Sequence, residues 1–322
     1  MAEGGEPLPW LIEVEKRVIE QFVSQADWPH ELVLMTVLDS LAPLAQQAQQ
    51  LPTELPEGVE TLADRVVVNV YDSADLSRCH LFINRPLMMQ KGYWENAHRM
   101  QALLAHEHAH PLSENRTTHS SRQLRSQVNF VLEDAAEELK GTPLWDKASC
   151  SLRDMLRTLS LYAPRELFAN MMCLIAGIDE PLFALDQYHV RELVQSLEER
   201  ETMQRRLRSS GDKGVSSDES VELLLLLADM ESCLPLALEI VPFWRSGKED
   251  YARALEASLE GDFFPHLGPE ISSLYEHLCE CYYRLQGDLN TDRFKGWMTQ
   301  VLRPLADELV ERDLIIRYEF TT

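Results

Sequence analysis

The stretch "LLAHEHAHPLSEN", residues 103–115, places three histidines and a glutamate within five positions, His106 to His110. Leu103 and Leu104 among Ala102, Ala105 and Ala109 describe a closely packing helix, expected over 93–110 and closed by Pro111. On that helix His106 and His110, four apart, differ by about 40° in direction and project from one face at a separation one metal ion can bridge. Glu107 stands beside that face, where a carboxylate can hold and deprotonate a water. His108 points about 200° away and reads as structural or exposed. With 10 histidines in 322 residues, random placement yields about 0.03 H-E-x-x-H matches per chain. Pro111 strains this reading, because the residue before proline is pushed towards extended backbone and His110 becomes the last helical residue.

Working outward, the two convincing strands are "RVVVNVY" (65–71) and "CHLFINR" (79–85), separated by the turn-like "DSADLS". Apolar spacing predicts helices over 8–25 and 30–50. After the connector "PLSENRTTHSS", a helix is expected over "RQLRSQVNFVLEDAAEELK", ending at Gly141. From 143 onward almost everything reads as helix, interrupted by the Ser- and Gly-rich "RSSGDKGVSSDES" at 208–220. The expected fold class is α+β and mostly helical: residues 1–142 hold N-terminal helices and a small sheet with the histidine helix, and 143–322 form a large all-α region.

Composition limits the function classes. A hydrophobic fraction of 45% is that of a globular protein, and a net charge of -23 repels phosphate backbones, so nucleic acid is not an expected partner. The N-terminus "MAEGGEPLPW" lacks the basic and apolar regions of a signal peptide, and the longest apolar runs, "LLLLLA" and "MMCLIAGI", are far too short to span a bilayer. A cytoplasmic chain with no membrane partner is expected. The six cysteines form no C-x-x-C pair and read as free thiols.

A catalytic zinc site takes three protein ligands and an open position for water. The extended form H-E-x-x-H-x-x-G-x-x-H fails, because Ser113 and Arg116 occupy its Gly and His positions. In "NFVLEDAAEELKG", Glu133 with Glu137 and Asp134 with Glu138 form i,i+4 acidic pairs, whose repulsion a cation between carboxylates would relieve. The alternative for these acids is a solvated helix face.

The order of strand "CHLFINR", helix "RMQALLAHEHAH", connector and "LEDAAEE" resembles the gluzincin metallopeptidases, in which two His of H-E-x-x-H and a downstream Glu bind zinc. Closest are the compact ImmA/IrrE-type peptidases, and "N-x-x-L-E-D" is also similar to metallopeptidase domains that travel with von Willebrand A modules. The resemblance covers roughly residues 60–141. It implies a zincin-like sheet with a glutamate helix, and His106, His110 and Glu133 as zinc ligands, with Asp134 the competing third ligand. It further implies Glu107 as general base and Glu137 as a carboxylate orienting a ligand histidine. His119 is a weaker rival ligand, and Tyr162, Tyr188 and His189 are the groups on offer for an oxyanion.

The expected activity is zinc-dependent hydrolysis of a peptide or protein, with the helical region selecting substrate or docking a protein regulator. The alternative is a non-catalytic helical scaffold or adaptor with a zincin-like metal-binding core. A zinc hydrolase of another bond would share every residue named.

Overall fold

Apolar residues at helical spacing build α1 (Pro9–Gln25), whose Leu11, Val14, Val18 and Phe22 are buried along one face. This is a computed structural model, and it describes residues 8–25, 28–49, 65–133, 139–209 and 218–320. Of the residues expected at the site, Asp134 and Glu137 lie outside the described residues, as does most of the 208–220 loop.

The helix expected over 30–50 is a strand followed by a helix: β1 (Leu32–Leu38) and α2 (Ala42–Gln49). "LVLMTVL" is short and partly β-branched, and a neighbouring strand is available to pair with it, so tertiary pairing overrides its helical spacing. The expected hairpin forms as β2 (Val67–Asp72) and β3 (Asp75–Asn84), antiparallel, with Asp72 opposite Asp75 across the turn. β1 joins β3 in parallel, giving the order β1-β3-β2.

The period of two sorts the sheet into faces. Val68, Val70 and Phe82 pack with Leu38, Leu41 and Leu44 of β1 and the α2 region. Val67, Asn69 and Tyr71 of β2 share the opposite face with Cys79, Leu81 and Ile83 of β3, all buried. That face meets the histidine helix. α3 (Arg85–Gln90) follows, then α4 (Ala97–Leu112), capped by Asn96 Oδ1, which accepts from Arg99 N at 3.0 Å. Ala102, Ala105 and Ala109 are fully buried in α4, and their small side chains let α1, β2 and β3 approach closely.

α5 (Arg116–Arg125) opens on a capping box built by Asn115 and Thr118. The long helix expected to continue through "VNFVLEDAAEELK" stops at Arg125, and β4 (Val128–Glu133) takes its place. Val128 and Phe130 alternate into the core, and β4 pairs antiparallel with β5 (Ile315–Phe320), Phe130 lying opposite Tyr318. The partner strand lies about two hundred positions along the chain, so nothing local announces it. The region from 143 is therefore not all-α.

The remaining helices are α6 (Pro143–Arg157), α7 (Ala163–Ile175), α8 (Asp179–Gln195), α9 (Leu197–Ser209), α10 (Asp218–Cys233), α11 (Ala237–Arg245), α12 (Glu249–Asp262), α13 (Pro269–Tyr283) and α14 (Thr291–Val310). A π-turn, Thr158–Tyr162, joins α6 to α7. One extra residue per turn rotates the following face by about 100°. The carbonyls of Leu159 and Leu161 in this turn accept hydroxyl hydrogen bonds from Tyr282 (2.8 Å) and Ser121.

The fold is α+β and mostly helical. It divides into two compact units, each drawn from two stretches of the chain. The first comprises Met1–Glu114 with Phe168–Leu185, the second Asn115–Leu167 with Asp186–Thr322. The return of Phe168–Leu185 to the first unit is tied by Gln21 Nε2, which donates to the Gly177 carbonyl at 3.3 Å. Gly177, at φ +76°, ends α7 in the left-handed conformation that favours glycine. Among the described residues no helix is long and apolar enough to cross a membrane.

Candidate metal centre

α4 carries His106 and His110 on one face, their ring centroids 4.6 Å apart and nearly perpendicular at 82°. His106 is half-buried and His110 is buried. Pro111 does not end the helix: α4 runs on to Leu112, and Ser113 N closes it on the Ala109 carbonyl at 2.9 Å. His110 thus keeps helical geometry.

Proline removes one helical donor, and the acceptor it orphans is the carbonyl four residues earlier, that of Glu107. Asn69 supplies the missing donor, its Nδ2 reaching the Glu107 carbonyl at 3.1 Å. The Asn69 backbone N–H also donates to Glu107 Oε2, at 3.0 Å. Strand β2 therefore grips both the backbone and the side chain of Glu107, which is 8% exposed.

α7 supplies the next groups. Asn170 Oδ1 accepts from His106 Nδ1 at 2.7 Å, which puts the ring proton of the neutral imidazole on Nδ1 and the lone pair on Nε2. Glu166 lies one turn earlier on the same continuous helix, and i,i+4 spacing sets it on the face that carries Asn170. One ligand atom each from His106, His110 and Glu166 lie within 4.8 Å of one another. Two imidazole nitrogens and a carboxylate oxygen are the donor set and count of a catalytic zinc site. A hydrogen bond on one ring nitrogen, as His106 makes through Nδ1, is the usual device that orients a metal-binding histidine.

The family resemblance implied Glu133 as the third donor. The structure places Glu133 at the end of a strand, 39% exposed, with Oε2 3.3 Å from Arg317 of β5. Among the described residues it belongs to no group with His106 and His110. The downstream glutamate of the expected pattern is matched in geometry by Glu166 instead. Its signal was present in "RELFANMM", a carboxylate and an amide four apart among apolar neighbours, but no local feature tied that helix to α4.

The chain matches no family model, no curated protein and no solved structure. The geometry stands by itself.

The other named residues take different places. His119 is exposed beside Gln123. Tyr162 lies under the Arg125 guanidinium, 4.4 Å from its ring centroid. Tyr188 and His189 are ring neighbours, and His189 Nδ1 meets Glu239 Oε1 at 3.0 Å. His189, Asp186 and Glu239 form a further cluster, in which burial and the neighbouring Glu239 hold the Asp186 carboxyl well above the ordinary carboxylate range. His108, on the far side of α4, is fully buried and bonds Glu15 Oε1 through Nε2 at 2.6 Å. Burial pushes the neighbouring Cys79 thiol up to about 12.

Proposed function

We propose that this chain is a zinc-dependent hydrolase of peptide bonds, with His106, His110 and Glu166 as the metal ligands. The observation that carries the reading is the convergence of those three donors, with the His106 ring held by Asn170 through Nδ1. When bound, zinc lowers the pKa of a coordinated water and polarises the scissile carbonyl.

The protein side of the chemistry follows from the hydrogen bonds. Asn170 holds His106 in one tautomer and one orientation. Asn69 N–H holds Glu107 Oε2, so the carboxylate is fixed by the sheet and Oε1 is the atom that takes the proton of the attacking water and returns it to the leaving amine. Held this way, Glu107 needs no reorganisation of its own between the two proton transfers. The fold also accounts for the tolerance of Pro111: Asn69 satisfies the carbonyl that proline orphans, at the residue that serves as base.

One observation favours a non-catalytic scaffold with the same metal core: Glu107 is 8% exposed and already bonded to a backbone amide. Metal analysis and a broad peptide library separate the readings. Wild type is expected to carry a zinc equivalent that His106→Ala removes, and Glu107→Gln to keep that equivalent while cleavage falls about 10²- to 10⁴-fold. Wild type without that equivalent ends the hydrolase reading, and a metal-loaded wild type that cleaves nothing in the library favours the scaffold.

A further inference from the structure

His30, Cys79 and His108 meet in the first unit, on the side of α4 opposite to that of His106 and His110. His30 precedes β1, Cys79 lies in β3, and His108 in α4, so three separate elements deliver one group each. Cys79 and His108 are 0% exposed and His30 is 6% exposed. One ligand atom from each lies within 4.8 Å of the others.

Tautomers decide what these rings offer. His30 Nδ1 lies 2.5 Å from the Leu76 carbonyl, which only accepts, so Nδ1 carries the proton and Nε2 keeps its lone pair. His108 Nε2 donates to Glu15 Oε1, so Nδ1 keeps its lone pair, and it faces Cys79 Sγ at 3.8 Å. Both imidazoles thus have one nitrogen held by an oxygen and a lone pair on the other, the arrangement in which a histidine binds a metal. His30 Nε2 is buried without a hydrogen-bond partner, as is Glu15 Oε2. An unpaired buried acceptor costs free energy that a hydrogen-bonded core would avoid, and a cation accounts for it.

We propose that His30 Nε2, Cys79 Sγ and His108 Nδ1 form a second metal site, for a thiophilic divalent cation such as zinc, with Glu15 as the carboxylate orienting His108. Donors of a tetrahedral zinc lie about 3.3 to 3.8 Å apart, so the present separations close with side-chain shifts of about 1 Å. Binding breaks the Cys79 S–H bond, forms a metal–sulfur bond and releases one proton to solvent per ion. The Cys79 S–H and His108 Nδ1 contact holds that proton when the cation is absent. The bound ion ties the segment before β1, the central strand β3 and helix α4 together, and so braces from behind the helix that presents His106 and His110. The site shares no ligand with the His106, His110 and Glu166 group and stands whether or not that group is catalytic.

Cobalt distinguishes the two sites, because only this one contains sulfur. The full-length protein, stripped with a chelator, is titrated with Co²⁺ and followed by absorption. A near-ultraviolet thiolate-to-cobalt charge-transfer band is expected in wild type. It should persist in the His106→Ala, His110→Ala double variant and vanish in Cys79→Ser, and His30→Gln should weaken Co²⁺ binding tenfold or more. Wild type that binds Co²⁺ without the charge-transfer band overturns the assignment, whatever the variants do. A band retained by Cys79→Ser overturns it too, since another cysteine would then be the ligand.

Discussion

Replacing Asn69 by leucine, nearly isosteric, tests the link between Pro111 and β2. Asn69 is fully buried on the sheet face that meets α4, and its Nδ2 donates to the Glu107 carbonyl at 3.1 Å. That carbonyl has no helical donor, because the residue four positions on is Pro111. Leucine therefore leaves a buried acceptor without this partner, and the expected loss is about 1–3 kcal/mol. The backbone bond from residue 69 to Glu107 Oε2 does not depend on the side chain and should survive. Pro111→Ala restores a backbone N–H four residues after Glu107, so it should recover part of the loss in the leucine background. Denaturant unfolding of wild type, both single variants and the double variant closes the cycle, with an expected coupling of about 1 kcal/mol favouring the double variant. If the two changes add to within about 0.3–0.5 kcal/mol, Asn69 is not the donor that replaces the proline's missing N–H, and the account fails.

Glu166→Ala should abolish stoichiometric metal at the His106 site while Glu133→Gln leaves it intact, measured by elemental analysis of chelator-stripped and reloaded protein; the reverse pattern would restore the ligand set first inferred from the sequence. Asn170→Ala should weaken metal binding about 10- to 100-fold by releasing His106 Nδ1, and Asn170→Asp should retain it; equal affinities in competition with a chromogenic chelator would rule out the orienting role. Arg200 holds Asp229 with two bonds, of 2.6 and 2.7 Å, and Arg200→Met should cost about 3 kcal/mol near neutral pH. Burial raises the Asp229 carboxyl above 3.8 and Arg200 opposes that shift. With a folded pKa raised above the unfolded one, the group's contribution is full below the unfolded value and is lost as pH rises through the folded value. Removing Arg200 raises the folded value further, so the variant's deficit should shrink towards about pH 4 in urea unfolding. A deficit independent of pH contradicts this.

The shared face of His106 and His110 on α4 was readable from five residues because a helix is a local structure. Four-residue spacing puts His106 and His110 on one face whatever surrounds them. The hairpin of β2 and β3 was readable for the same reason, its two runs being joined by a short turn. The described segments read as helix that form strands, Leu32–Leu38 and Val128–Glu133, are those whose conformation depends on a distant partner. β1 becomes a strand by pairing with β3, and β4 by pairing with β5 at the far end of the chain. Helical spacing of apolar residues describes a segment's own preference, and a strand's hydrogen bonds must be found elsewhere.

By itself the sequence determined that the chain has a helix with two histidines on one face, a glutamate beside them, a strongly acidic composition, and a mainly helical body. Only the tertiary structure shows which carboxylate lies within 4.8 Å of those histidines: Glu166 of α7, 56 residues beyond His110, while Glu133 lies 3.3 Å from Arg317. It also supplies, through Asn69, a donor for the carbonyl that Pro111 orphans, and it buries His108, read from the sequence as structural or exposed, in a cluster with His30 and Cys79. The reason is common to all three: a ligand set or a satisfied carbonyl is a meeting of atoms from separate elements, and the packing of those elements, not the spacing within any one, brings the atoms within bonding distance.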